Sequence, residues 1–297
     1  MHVMIFGAGY SGKAIGKLMS EKGARVSGTS RSPDKQARLK DFGIEPLLFD
    51  GTEFTPALRA ELQTVTHLVQ SIAPGSDGDP LIRLVGEDGL KVLMPRLEWI
   101  AYLSTVGVYG DHGGALVDED ALLKPVSQRS VERVEAESAW QALAARSNLP
   151  LAILRLSGIY GPGRNGFVNL TNGTARRLVK KDQVFNRIRV EDIAAATVFL
   201  ADAGLGGVYN VTDDEPCPPQ DVVTEAARLM GVEAPPEQPF ETAELSPMAR
   251  SFYGENKRVS NARLKGLGFQ FRYPNYRLSL QDLWSRATWN KADPAAF

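Results

Sequence analysis

The stretch HVMIFGAGYSGKAIGKLMSEKGARVSGTSR, residues 2–31, decides the fold. An apolar run, His2 to Phe6, leads into Gly7, Gly9 and Gly12, spaced as G-x-G-x-x-G. Apolar residues then recur at Ala14, Ile15, Leu18 and Met19, on one face of a helix that Gly23 is placed to stop. A second β-type run, ARVSGTS (24–30), follows. Strand, glycine turn, helix and strand in that order make a device for holding a dinucleotide. Gly7 permits the tight turn, Gly9 lets a pyrophosphate approach the backbone, and Gly12 lets the helix pack close to the sheet. The N–H groups at the helix start, from Tyr10, Ser11 and Gly12, then face the phosphates.

Outward from this unit the alternation continues. IEPLLF (44–49), THLVQS (66–71), WIAYLST (99–105) and LAILRL (151–156) read as strands that are apolar on both faces, as buried parallel strands are. The predicted fold is α/β, a Rossmann-type doubly wound parallel sheet with right-handed crossovers and a small C-terminal substrate lobe. Residues 1–160 form the dinucleotide-binding core in this reading, with the sheet completed by about 186–230 through GGVYN (206–210). Residues 161–185 and 231–297 make the smaller lobe. Within it PQDVVTEAARLMG (219–231) reads as a helix, EAPPEQPF (233–240) as a linker, and residues 261–284 as a helical turn, a short strand and a helix.

Composition narrows the function classes. A net charge of −1 gives no long-range pull toward nucleic acid or an anionic membrane. The single cysteine, Cys217, excludes an intramolecular disulfide, and no His or Asp grouping at ligand spacing surrounds it, so no metal is expected. With no export signal and no long apolar stretch, the expectation is a cytoplasmic protein acting on a small molecule.

The end of the second strand selects the cofactor. A carboxylate about 20 residues past the first glycine favours NAD, and an arginine favours the 2′-phosphate of NADP. Here Ser30 and Arg31 occupy that place and no carboxylate comes before Asp34. NADP(H) is therefore expected, with NAD(H) the alternative.

Taken together, residues 1–230 resemble the extended short-chain dehydrogenase/reductase superfamily, in particular its NAD-dependent epimerase/dehydratase group. FDGTEF (49–54) is similar to the group's segment after the third strand, which implies that Asp50 lies near the adenine. VQSIAP (69–74) resembles the loop that runs along the cofactor, a role that falls to Ser71, Ile72 and Ala73. LSTVGVYG (103–110) is similar to S-[ST]-x-x-V-Y-G, and LRLSGIYGPGR (154–164) to the segment where nicotinamide and substrate meet, which includes Ser157. NRIRVEDIAAA (186–196) resembles H-V-D-D-[VI]-A, with Arg189 where histidine is common. The resemblance also implies a homodimer.

One departure matters. The superfamily's acid–base pair is Tyr-x-x-x-Lys, a few residues before an Ala-Glu dipeptide. Aligning Ala136-Glu137 puts Arg129 at the tyrosine position and Arg133 at the lysine position. Arginine keeps its proton at neutral pH and cannot act as a base, although Arg133 could hold a ribose or phosphate. Candidates to replace the pair are Thr105, which could hydrogen-bond a substrate oxygen, and Tyr109, if the fold turns it inward; His112 is a third. Arg164 could meet an anionic substrate group.

Two functions follow. One is an atypical NAD(P)-dependent oxidoreductase or epimerase acting by hydride transfer on a small carbonyl or sugar-nucleotide-like substrate. The other is an NADP(H)-sensing regulator that has lost the chemistry, its warrant being the missing pair.

Overall fold

The computed structural model describes residues 1–86 and 89–291; the side chains of 247–249 and all of 292–297 lie outside the description. Seven strands form the central sheet: β1 (His2–Phe6), β2 (Arg25–Ser30), β3 (Glu45–Leu48), β4 (His67–Gln70), β5 (Trp99–Thr105), β6 (Leu151–Leu156) and β7 (Gly207–Val211). Their order is β7-β6-β5-β4-β1-β2-β3, all parallel. Register runs from Met4 to Ser27 in β2 and to Leu68 in β4, and from Leu68 on to Ile100 in β5. Strand order reverses beside β1, where successive strands are added on opposite sides. In open α/β sheets a ligand crevice forms outside the carboxyl ends of the strands at that switch point.

Burial explains why these strands read so clearly. β1, β4 and β6 are buried at every residue, so both faces had to be apolar or internally satisfied. Helix α1 (Tyr10–Glu21) buries Ala14, Ile15 and Met19. Gly16 and Gly28 bring it close to the sheet: a Cβ on Gly16 would stand 2.4 Å from Ile44 Cδ1, and one on Gly28 2.7 Å from Ile44 Cγ2. Helices α2 (Pro33–Lys40), α3 (Pro56–Leu62) and α4 (Pro80–Val85) each begin with proline at the first helical position. Helix α5 (Gln128–Arg146) lies between β5 and β6 and packs Trp140, Leu143 and Ala144 into the core that holds Phe6, Tyr102 and Ile153.

The chain divides into two compact units. The first comprises 1–108, 128–155 and 193–209, the second 109–127, 156–192 and 210–297. This partition differs from the boundary expected at residue 160. Residues 109–127 leave the core before α5, whereas α6 (Val190–Asp202) belongs to the first unit from Ile193 onward.

In the second unit α7 (Pro219–Met230) ends at Gly231 in the left-handed conformation, and α8 (Tyr276–Ser285) buries Tyr276, Leu280 and Leu283 against Phe167 and Ala226. The segment read as a linker includes Glu237–Pro239, which pairs in parallel with Arg177–Val179. The short strand expected within 261–284 does not form. The main chain there is bound by a side chain instead: Arg272 N and Tyr273 N each donate at 2.9 Å to the carboxylate of Asp192.

Candidate functional site

The glycine turn lies at the carboxyl end of β1. Thr29, fully buried on β2, holds it in place: Gly7 N donates to Thr29 Oγ1 at 2.9 Å and Ala8 N to Thr29 O at 2.9 Å. Gly7 has φ +79, and a Cβ there would sit 2.8 Å from Ile72 Cγ1 and 3.1 Å from Ile72 N. Glycine is required twice over, by the left-handed backbone and by the loop after β4. At Gly12 a Cβ would approach Gly7 O and Ile5 Cγ2, both at 3.1 Å. Gly9 differs: the nearest atom to a Cβ there is Gly7 O at 3.9 Å, so space opens above the turn.

Helix α1 starts without a side-chain cap and carries no acidic residue in its first turn. A 12-residue helix with an open glycine turn and a positive dipole end offers its first N–H groups to an anion. This arrangement fits the diphosphate of a dinucleotide. Ser71, on the neighbouring loop, is anchored by its N–H to Phe6 O at 2.9 Å, with Ile72 against Gly7 and Ala73 exposed beyond them. The structure thus brings Gly7, Gly9, Gly12 and Ile72 together. Thr29 was not singled out from the sequence; only a hydroxyl one strand away from the first glycine hinted at it.

At the end of β2, Ser30 Oγ donates to Ser32 O at 3.2 Å, and Arg31 is exposed and forms no ion pair among the described residues. Asp50 is exposed as well. Its Oδ1 accepts from Thr52 N at 2.9 Å and Thr52 Oγ1 at 2.6 Å, and these bonds hold the carboxyl below the ordinary aspartate range.

At the end of β5, Thr105 is partly exposed and its Oγ1 accepts from Gly107 N at 3.1 Å, which leaves the hydroxyl proton to donate. The preceding residue is fixed from below. Ser104 Oγ donates to buried Glu137, and Glu137 pairs with buried Arg155 through Nη2–Oε2 at 2.8 Å and Nε–Oε1 at 3.2 Å. Arg133, expected to hold a ribose, turns to the sheet instead: its Nη1 donates to Leu103 O at 2.8 Å and to Tyr102 Oη at 3.3 Å. The guanidinium finds a strand-end carbonyl and a tyrosine within its own unit.

Tyr109, the candidate conditional on an inward turn, does point inward. It belongs to the second unit, is completely buried, and donates its hydroxyl to Asn210 Oδ1 at 2.7 Å. Ser157 is buried in that unit, with both N and Oγ bonded to Val211 O at 3.2 Å. Its side chain secures β7 and offers nothing outward. His112 N donates to Asn256 O, while its Nε2 is buried without a partner. Arg164 is exposed. Arg189, in the histidine position, is buried among Glu191 (2.5 Å), Ser279 and the Tyr273 ring, whose centroid lies 4.2 Å away.

Near Tyr160 the second unit keeps a carboxyl that sequence reasoning passed over. Asp213 is 2% exposed, its Oδ2 has no hydrogen-bond partner, and burial pushes its pKa up to about 8. Among the described residues no group of His, Cys, Asp and Glu could hold a metal, and no helix is long and apolar enough to cross a membrane.

A seven-stranded parallel sheet carrying this glycine turn defines a Rossmann-type nucleotide-binding protein, and residues 3–212 match the model of the NAD dependent epimerase/dehydratase family, to which the chain belongs. It is similar to protein YeeZ of Escherichia coli K12, 27% identical over 285 residues that span 92% of this chain and 96% of the relative. A functionally unknown conserved protein from Silicibacter pomeroyi DSS has 46% identity and a TM-score of 0.87 over 96% of this chain and 99% of its own. Human epimerase family protein SDR39U1, solved with NADPH, shares the fold at 18% identity and a TM-score of 0.70, covering 96% of this chain and 99% of that one.

Proposed function

We propose that the chain binds a nicotinamide dinucleotide, NADP(H) in preference to NAD(H), and uses it as an oxidoreductase or epimerase on a small carbonyl or sugar-nucleotide-like molecule. The observation that carries the reading is the open space at Gly9 beside an uncapped, acid-free helix start. Membership of a family named for NAD dependence supports it, as does the likeness to a protein solved with NADPH.

In this reading the amides of the Gly7–Gly12 turn bind the diphosphate, Ser30 and Arg31 bind the 2′-phosphate, and Asp50 stands on the adenine side. Ser71, Ile72 and Ala73 line the path toward the nicotinamide. Bound there, the cofactor supplies a hydride with its two electrons. Thr105 donates its hydroxyl proton to a substrate oxygen and so orients it, but a hydroxyl held by Gly107 N is too weak an acid to replace a tyrosine–lysine pair. The protein works in the cytoplasm, as a homodimer, without a nucleic-acid or membrane partner.

Calorimetry with all four nicotinamide dinucleotides tests this. NADP(H) should bind at least tenfold tighter than NAD(H), and Arg31→Ala should remove the difference, since a charge-assisted hydrogen bond contributes about 1.5–3 kcal/mol. Absence of heat with all four dinucleotides ends the reading; tighter NAD(H) reverses the cofactor choice.

The commitment of Arg133 to Leu103 O and of Tyr109 to Asn210 favours a second reading, a sensor of cofactor redox state. It requires unequal affinity for the oxidised and reduced forms, because a ligand shifts an equilibrium only by its differential affinity.

A further inference from the structure

Within the first unit, the loop after β3 and the loop after β4 meet at one side chain. Arg83, on α4, donates from Nη2 to Gly51 O at 3.0 Å and from Nη1 to the carboxylate of Asp77. Gly51 follows Asp50 in the loop after β3, and Asp77 lies in the loop after β4. A second contact joins the same pieces. Gly51 has φ +93, and a Cβ there would stand 3.3 Å from Pro80 Cβ, so the turn at Asp50 rests against the first residue of α4.

The start of α4 is itself anchored to the sheet. Asp79, 4% exposed, caps the helix through Leu81 N at 2.9 Å and accepts from Gln70 Nε2 at 2.8 Å and Trp140 Nε1 at 3.0 Å. Gln70 is the last residue of β4 and directly precedes Ser71, Ile72 and Ala73. Packed and hydrogen-bonded groups therefore run without a gap from the base of one loop, through Asp79, Pro80 and Arg83, to the turn at Asp50 in the other.

Resting on the cofactor reading above, we infer that Arg83 is a positioning residue that couples the two loops, so that filling the adenine half of the site orders the nicotinamide half. The coupling is reciprocal, as any coupling between two binding events is. Arg83 and Asp77 are both exposed, and an exposed ion pair contributes little by itself. The guanidinium counts for its shape. Its rigid fork offers separate N–H groups to two acceptors at once, whereas a lysine ammonium is a point charge on a flexible stem.

Hydrogen exchange read by mass spectrometry on the full chain tests this, with and without saturating adenosine 2′-monophosphate. That probe carries the adenine and the 2′-phosphate but neither the diphosphate nor the nicotinamide; adenosine takes its place if NAD(H) proves the tighter cofactor. The parent is compared with Arg83→Met, which has neither donor, and Arg83→Lys, which keeps the charge without the fork. Exchange at residues 50–54 should slow in all three proteins. At residues 71–79 it should slow at least ~3-fold in the parent, the modest size expected of coupling through exposed hydrogen bonds. Neither variant should transmit that protection. A parent that binds the probe without slowing at 71–79 overturns the inference, and so does protection there that persists in either variant. Calorimetry on the parent separates the failures. Heat with a dinucleotide but none with the probe, or no transmission despite both, removes the coupling alone. No heat with any of the four dinucleotides removes the cofactor reading and this inference with it.

Discussion

Replacing Glu137 by alanine should unsettle the end of β5 through charge. Arg155 and Glu137 are 6% and 3% exposed and share three short contacts, at 2.8, 3.2 and 3.3 Å. Glu137→Ala leaves the guanidinium buried with that carboxylate gone, a change that costs about 3–5 kcal/mol. The loss of the Ser104 acceptor adds about 1 kcal/mol. For a unit of this size each kcal/mol moves the melting midpoint by about 2–4 °C, so a fall on the order of 10 °C is expected. Thermal unfolding followed by tryptophan fluorescence reads the midpoint, and urea unfolding the free energy, since Trp99 and Trp140 are both buried in the same unit. The double variant Glu137→Leu/Arg155→Met removes both charges and should recover to within about 2 kcal/mol of the parent. Should the single variant cost less than about 1 kcal/mol, or the double cost the sum of the singles, the pair is not the buried, mutually dependent unit described.

Gly7→Ala forces a left-handed backbone on a residue with a Cβ, about 1–2 kcal/mol, and drives that atom into Ile72; dinucleotide binding should fall at least tenfold by calorimetry. Tyr109→Phe strands Asn210 Oδ1 and should cost about 1–3 kcal/mol of stability in a thermal melt, with NADPH affinity unchanged. Asp213 gives the pH response of the second unit. Its folded pKa is raised, so the native state holds a proton that the unfolded chain has already lost between about pH 4 and 8, and stability falls as pH rises through that window by at most about 1.4 kcal/mol per pH unit. Asp213→Asn should flatten the curve measured by urea titration at successive pH values; an unchanged slope would show that Asp213 is ionised throughout.

The sheet was legible because burial on both faces leaves apolar runs no other reading, and the glycine turn because its spacing has one mechanical use. Side-chain direction was not legible. Tyr109 and Arg133 lie in stretches whose residue types suit a site, yet one hydroxyl meets Asn210, 101 residues away, and one guanidinium meets Leu103 O. Nothing local encodes such partners. Gly16 and Gly28 escaped notice because the atom that demands their smallness, on Ile44, belongs to a different strand–helix unit. Asp79 shows a middle case. Its place before Pro80 signals a helix cap, which it is, but its bonds to Gln70 and Trp140 join residues 9 and 61 positions away.

The interleaving of the two units bears on synthesis. The chain crosses between them at 108/109, 127/128, 155/156, 192/193 and 209/210. Neither unit is a continuous segment, so neither can be cut out by trimming a gene at one end. On the ribosome the first remains short of its edge strand until Gly207–Tyr209 have emerged, and the second, begun at residue 109, needs residues from 210 onward. Nascent apolar faces stay uncovered throughout that interval, which makes this a chain whose yield in cells should respond to chaperone supply more than its finished stability would suggest.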